Sequence, residues 1–286
     1  METWQNLGFT PAEMLVELAV AAEQVGFDGV SLPEHLVTPT TITTPNPYVP
    51  AGGAGYAPET PFVDPFVAFG AIGSRTTTLR MLANVYVLPL RHLFVAAKSV
   101  SSAAVMTGNR LVLGVGIGWL REEFAAAGAS FDDRGARTDD MLVLLERLLR
   151  GEVVESSGPH HEFAELRITP TPNKPVPVLV GGASGPALRR AARADGWIGV
   201  NYTEQALLPI LARLRGVREA AGDAHRPFQV VVSRPPDFDR AMAARYAAAG
   251  VTGMVNRPTI FAVGETASVA EHEAAMREFV DLVRGC

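Results

Sequence analysis

The chain predicts a (β/α)₈ barrel, and three observations carry that prediction. Apolar strand-like runs alternate with amphipathic helical runs along almost the whole length. No pair of strands sits at hairpin spacing, so the sheet reads as parallel with helices outside it. Seven strands are readable in 286 residues, more than the five or six of a usual doubly wound sheet. That length exceeds one ordinary compact module and suits a single large barrel spanning residues 1–286.

The elements follow in order. Thr10-Pro11-Ala12-Glu13 reads as a capping box, followed by Met14, Leu15, Leu18, Ala19, Ala22 and Val25 at helical spacing, with Gly26 as the stop. Residues 27–32 form a strand that runs into Pro33. A helix opens at Asp64-Pro65, and a strand occupies 79–87. Residues 93–106 are helical up to Gly108, and 110–115 are a strand. A helix at 138–149 stops at Gly151. Strands at 176–180, 197–200, 228–233 and 251–256 then alternate with helices at 185–194, 207–221, 238–249 and 269–283. An eighth strand has only the weak segment 4–9 to draw on. It has no long alternating apolar run, so the first strand is expected to be reduced or missing, leaving an open seam that a second copy in a homodimer would cover. Two stretches break the rhythm. Residues 38–61, rich in Pro, Thr and Gly, directly follow a strand end and are expected to form an active-site loop, and residues 152–177 an inserted loop.

Composition excludes several classes. A net charge of -5 and a pI near 5.7 provide no general field for nucleic acid, and no local basic patch stands out. No run approaches the roughly 18 to 20 apolar residues of a membrane helix. No secretory signal is visible, so the cytoplasm is the expected location. The only cysteine is Cys286, which excludes internal disulfides and thiolate metal sites. Of the 25 basic residues only Lys98 and Lys174 are lysine, which with the many alanines matches a GC-rich bacterial genome.

Candidate chemistry collects at strand ends. The run Arg110-Leu-Val-Leu-Gly-Val-Gly-Ile-Gly-Trp119 has glycines at 114, 116 and 118. A dinucleotide fingerprint fails because Trp119 takes the third glycine's place. The glycines either leave backbone open to a flat ligand or let a strand pack closely. In Val178-Leu-Val-Gly-Gly-Ala-Ser-Gly-Pro186 a strand passes into a helix start whose N–H groups and dipole suit phosphate, or whose residues serve as a cap. Pro33-Glu34-His35 places His35 at a strand's C-terminal end before the 38–61 loop, where barrels do chemistry, as a candidate acid, base or cofactor ligand. His160-His161-Glu162 makes a poor metal site, because adjacent strand residues face opposite ways and no third ligand is evident; no metal is expected. His92 is a candidate pocket residue, and His225 and His272 read as solvated. No G-x-S-x-G elbow, P-loop or kinase motif occurs.

The ordered set of motifs resembles the luciferase-like monooxygenase superfamily from about residue 10 to the last helix. It comprises Val87-Leu-Pro-Leu-Arg91, the run from Arg110 through Trp-Leu-Arg-Glu-Glu-Phe124, Arg134-Gly-Ala-Arg-Thr-Asp139, Val180-Gly-Gly-Ala-Ser184, Ala187-Leu-Arg-Arg-Ala-Ala192 and Asp195-Gly-Trp197. The resemblance implies a (β/α)₈ barrel with a tricyclic cofactor at its C-terminal mouth. It implies that Gly181, Gly182, Ala183 and Ser184, with Gly116, Ile117 and Gly118, hold the phosphate. It also implies a bulge, often with a non-prolyl cis peptide, at Ala83, Asn84 and Val85 behind the ring. Glu34-His35 stands where the branch using coenzyme F420, a deazaflavin, has Asp-His.

The expected activity is therefore hydride transfer between F420 and a small organic substrate. His35 is the catalytic group and Glu34 a ring-edge or supporting contact pointing away from it. An FMN-dependent monooxygenase is the first alternative, and a non-catalytic flavin- or deazaflavin-binding protein the second. Trp119 stands about where the F420 sugar-phosphate dehydrogenases have a catalytic carboxylate, which argues against sugar-phosphate oxidation.

Overall fold

The structure is a computed structural model that describes residues 1–49 and 55–285. Cys286 and positions 50–54 of the 38–61 loop lie outside the described residues. In chain order the elements begin with β1 (Glu2–Asn6), α1 (Leu15–Val25), β2 (Gly29–Leu32), α2 (Pro65–Arg75), β3 (Arg80–Val87), α3 (Leu93–Met106) and β4 (Leu111–Gly116). Next come α4 (Arg121–Ala126), α5 (Arg134–Leu149), β5 (Val154–Ser157), β6 (Glu162–Leu166), β7 (Val178–Gly181) and α6 (Gly185–Arg193). The chain continues through β8 (Gly196–Gly199), α7 (Glu204–Ala220), β9 (Gln229–Ser233), α8 (Arg240–Ala248), β10 (Gly253–Asn256), α9 (Ile260–Val263) and α10 (Val269–Arg284).

Eight strands close a parallel barrel in the order β1, β10, β9, β8, β7, β4, β3, β2. Trp4, Leu82, Val112, Leu179, Ile198, Val231 and Val255, from seven of those strands, pack on one another as an inner cluster. A larger cluster joins the strands to the helices, with Leu15, Leu18, Ala19 and Ala22 of α1 on its inward face. Helix ends follow their residues. Asp64 accepts from the N–H groups of Phe66 and Val67 at 2.9 and 3.1 Å and starts α2, while Gly26 leaves α1 at φ +99°. Among the described residues no helix is long and apolar enough to cross a membrane.

Three expectations are corrected. The first strand is present: β1 pairs with β10 from Glu2↔Gly253 to Gln5↔Asn256 and with β2 from Trp4↔Gly29 to Asn6↔Ser31. It lacks an apolar run because its buried polar residues find partners. Thr3 donates from N and Oγ1 to Asp28 at 2.8 and 3.1 Å, and Asn256 donates to Gln5 Oε1 at 2.8 Å. The seam is closed, so the argument that a homodimer must cover it falls away. The capping box at Thr10 does not form. Pro11 stays extended at ψ 135° before a short 3₁₀ turn, and the Thr10 hydroxyl turns back to Gly8 O at 3.5 Å. Finally, His272 is buried and bonded to the Thr259 hydroxyl at 2.7 Å, whereas His225 is exposed. The segment 152–177 carries the antiparallel hairpin β5–β6 beside the barrel.

Candidate active site

The C-terminal ends of the strands surround a cavity of about 540 Å³ whose wall includes Glu34, His35, Asn84, Trp119, Arg234 and Asn256. β2 delivers Glu34 and His35 because Pro33 ends its ladder immediately beforehand. His35 is held on several sides. Its Nδ1 lies 3.0 Å from Glu123 Oε2 on α4, and its ring meets Tyr56 at 4.8 Å, Phe62 at 4.9 Å and Trp119 edge-on at 6.1 Å. Glu123 is only 1% exposed. Its other oxygen accepts from the N–H groups of Leu36 at 2.5 Å and Val37 at 3.4 Å. One buried carboxylate therefore fixes both the imidazole and the backbone that follows it.

Glu34 is turned elsewhere. Its Oε1 accepts from Val87 N at 2.6 Å, and its Oε2 pairs with Arg91. Burial pushes its carboxyl up to about 7, while Arg91 and the Val87 N–H restrain that rise. Arg91 also lies over the Tyr86 ring at 4.8 Å. The 38–61 segment reaches the same place: Asn46, Tyr48 and Tyr56 line the cavity. Its Thr43 and Thr44 donate from N and Oγ1 to Glu122 at 2.6 to 3.0 Å, holding the Glu122 carboxyl well below the usual range.

The sequence profile of the luciferase-like monooxygenase family matches residues 3–283. The chain belongs to that family. Among curated relatives, an uncharacterized protein of Mycobacterium tuberculosis is 35% identical over 240 residues, covering 84% of this chain and 83% of that one. An F420-dependent glucose-6-phosphate dehydrogenase of Nakamurella multipartita is 33% identical over 246 residues, 82% of this chain and 67% of the relative. Among solved structures, the monooxygenase RslO1 from Streptomyces bottropensis superposes with a TM-score of 0.78 at 20% identity, covering 99% of this chain and 98% of that one. An F420-dependent secondary alcohol dehydrogenase in complex with an F420–acetone adduct superposes at 0.76 and 15% identity, with 99% of each chain covered. At those identities the two structures establish the shared fold.

The remaining candidate residues of this luciferase-like barrel lie on β3 and at the ends of β4 and β7. The Asn84–Val85 peptide is cis, and the β3–β4 register shifts between Ala83 and Tyr86. Of that trio Asn84 lines the cavity, and its buried Oδ1 has no hydrogen-bond partner among the described residues. Ala83 is in the wall, where its carbonyl would lie 2.1 Å from a Cβ on Gly114. A Cβ on Gly116 would fall 2.5 Å from Val85, and one on Gly181 3.4 Å from it. Close packing thus accounts for Gly114 and Gly116, and for Gly118, where φ is +77° and a Cβ would meet Phe124 at 2.6 Å; at Gly181 a Cβ would make only ordinary contact. Ile117 lies between Gly116 and Gly118 as β4 ends. Gly182, at φ +98°, accepts from Trp197 Nε1 at 2.8 Å. Ala183 packs on the main core. Ser184 caps α6 by accepting from Ala187 N at 3.3 Å. These stretches sit on the paired ends of β4 and β7, next to the cavity wall and not part of it.

Other histidines have local roles. His92 caps α3 through Phe94 N at 3.3 Å, and His160 and His161 face separate aspartates, Asp133 at 3.6 Å and Asp140 at 3.0 Å. Sequence reasoning missed the parts played by Glu123, Arg91 and the ring pair Tyr56 and Phe62. The first two lie inside motifs already singled out, Arg121-Glu-Glu-Phe124 and Val87-Leu-Pro-Leu-Arg91. Nothing in their spacing says which strand end each side chain reaches.

Proposed function

We propose that this luciferase-like enzyme transfers a hydride between coenzyme F420 and a small organic substrate. The observation that carries the reading is the His35–Glu123 pair at the mouth of a ring-walled cavity. The cavity fits a flat heterocycle: Asn84 offers an unpaired buried acceptor for a ring N–H, and aromatic side chains supply apolar faces. The strand-end backbone at Gly116, Ile117 and Gly118 and at Gly181, Gly182, Ala183 and Ser184, beside the cavity wall, would take the phosphate. The curated relatives named F420-dependent glucose-6-phosphate dehydrogenase support the deazaflavin over FMN. Their sugar phosphate is not carried over, because Trp119 occupies the wall beside His35.

When bound, the deazaflavin supplies the hydride acceptor or donor. The chain's own residues orient the partner and manage its proton. With Nδ1–H donated to Glu123, Nε2 of neutral His35 is the nitrogen that takes the proton of an alcohol as it becomes a carbonyl, and returns it in the reverse direction. Glu34 and Arg91 hold the end of β2 against β3, and Tyr56, with Phe62, keeps water from the imidazole. From the 38–61 segment, Asn46, Tyr48, Val49, Gly55 and Tyr56 line the same cavity. Titration of the full-length protein with F420 and with FMN, followed by fluorescence, tests the reading. F420 should bind at least tenfold more tightly; tighter FMN binding would overturn the cofactor assignment.

A further inference from the structure

The wall of the cavity away from His35 has a charge pattern that the proposed hydride transfer does not use. β9 stands four strands from β3 around the closed ring, so Arg234, just past its end, joins the cavity lining on the side opposite Asn84, with its guanidinium 5.6 Å from the Phe279 ring of α10. Arg234 is half-buried, and its Nε is buried with no hydrogen-bond partner among the described residues. Arg257, just past β10, lines the same wall. Among the described residues neither guanidinium makes an ion pair within 4.0 Å. Burial and the neighbouring Arg257 push Arg234 below its usual value, against an opposing pull from Glu278. Asp237, exposed at the rim, is the carboxylate on that wall. A half-buried guanidinium with an unsatisfied donor, next to a second, exposed guanidinium, forms an arrangement that an anion completes.

A path of rings connects this wall to His35. Phe62 lies 4.9 Å from the imidazole, Phe9 6.1 Å from Phe62, and Phe261 5.1 Å from Phe9. The Arg257 guanidinium lies 5.9 Å from the Phe261 ring. We propose that Arg234 and Arg257 form an anion subsite and that the substrate is an apolar carboxylate, its anionic end on the arginines, its body along the rings and its reacting carbon at His35. This deepens the hydride-transfer reading and rests on it for the identity of the reacting end. The subsite itself stands on the two arginines.

The test uses a matched acid and amide, 4-phenylbutyrate and 4-phenylbutyramide, titrated calorimetrically into the full-length protein. The parent should prefer the acid by about 10-fold or more, the effect of one charge-assisted hydrogen bond. Arg234→Met and Arg257→Met should each bring the acid to within about twofold of the amide. Arg257 is exposed, so its variant keeps the test valid if Arg234→Met unfolds. Equal binding of acid and amide by the parent, or a preference that survives in both variants, would overturn the proposal. F420 titrated into the same proteins separates the two sources of negative charge. If the variants lose F420 affinity while keeping the acid preference, the arginines hold the cofactor's anionic tail and the substrate assignment fails. If the parent binds no F420 yet shows the arginine-dependent acid preference, the subsite stands and the cofactor reading fails.

Discussion

Removing the Glu123 carboxylate should separate the stability of the site from its protonation pattern. Three nitrogens converge on it, the backbone N–H groups of Leu36 and Val37 and Nδ1 of His35. Glu123→Ala leaves all three without that acceptor at a position 1% exposed. Each stranded donor costs about 1–3 kcal/mol, so a loss of about 3 kcal/mol or more is expected in urea unfolding. Glu123→Gln keeps one oxygen for the backbone N–H groups and should lose only about 1 kcal/mol. It turns an amide NH₂ toward Nδ1, which must then accept, so the ring proton moves to Nε2. Nitrogen-15 spectra of labelled histidine report this directly. The parent should show His35 protonated on Nδ1 in its neutral form, and the glutamine variant on Nε2. With a reacting substrate, hydride transfer in that variant should fall about 10²- to 10⁴-fold. A parent protonated on Nε2, or a variant with an unchanged tautomer, would refute the role assigned to Glu123.

Four further outcomes are expected. The Glu34 carboxyl rises from 4.5 to about 7 on folding, so its contribution is fully present below pH 4.5 and is lost as pH climbs through 7, by up to about 3 kcal/mol. Glu34→Gln should flatten the pH dependence of unfolding in that window, and an unchanged slope would count against the buried assignment. Trp4→Ala should lose about 3–5 kcal/mol by emptying the barrel's interior, measured by urea unfolding; a loss under about 1 kcal/mol would mean the interior does not depend on it. Gly118→Ala should lose about 2 kcal/mol through its positive φ and the contact with Phe124. Gly70→Ala on α2, with nothing within 4 Å, should be neutral or stabilising by up to about 1 kcal/mol in the same urea unfolding series.

The sequence and the structure agree where a local rule and the tertiary fold ask for the same residue. Asp64-Pro65 opens α2, Gly26 ends α1, and the wholly buried run of β4 and the buried centre of β7 are apolar on both faces, as parallel strands must be. β1 was illegible because its code is non-local. Trp4 is inward only because β2 supplies Gly29, whose missing side chain leaves the space the indole fills; a Cβ there would lie 2.4 Å from the ring. The hairpin β5–β6 was missed because its residues are mostly exposed and polar, with Val154, Phe163 and Leu166 its only large apolar side chains. In the site, His35 was readable from its position after a strand. Its dependence on Glu123 was not, since 88 residues separate the two.

The position of Trp4 also bears on how ligands come and go. Its indole and the aliphatic side chains around it fill the barrel axis below the cavity, and Gly29 and Gly253 press against it from β2 and β10. Among the described residues the cavity is therefore a blind well with traffic through one end. When two molecules occupy such a well, the deeper one arrives first and departs last, whatever their relative affinities. For the cofactor and substrate proposed above, turnover would then follow a compulsory sequence, with the residence time of the inner molecule setting how many of the outer ones are processed per visit.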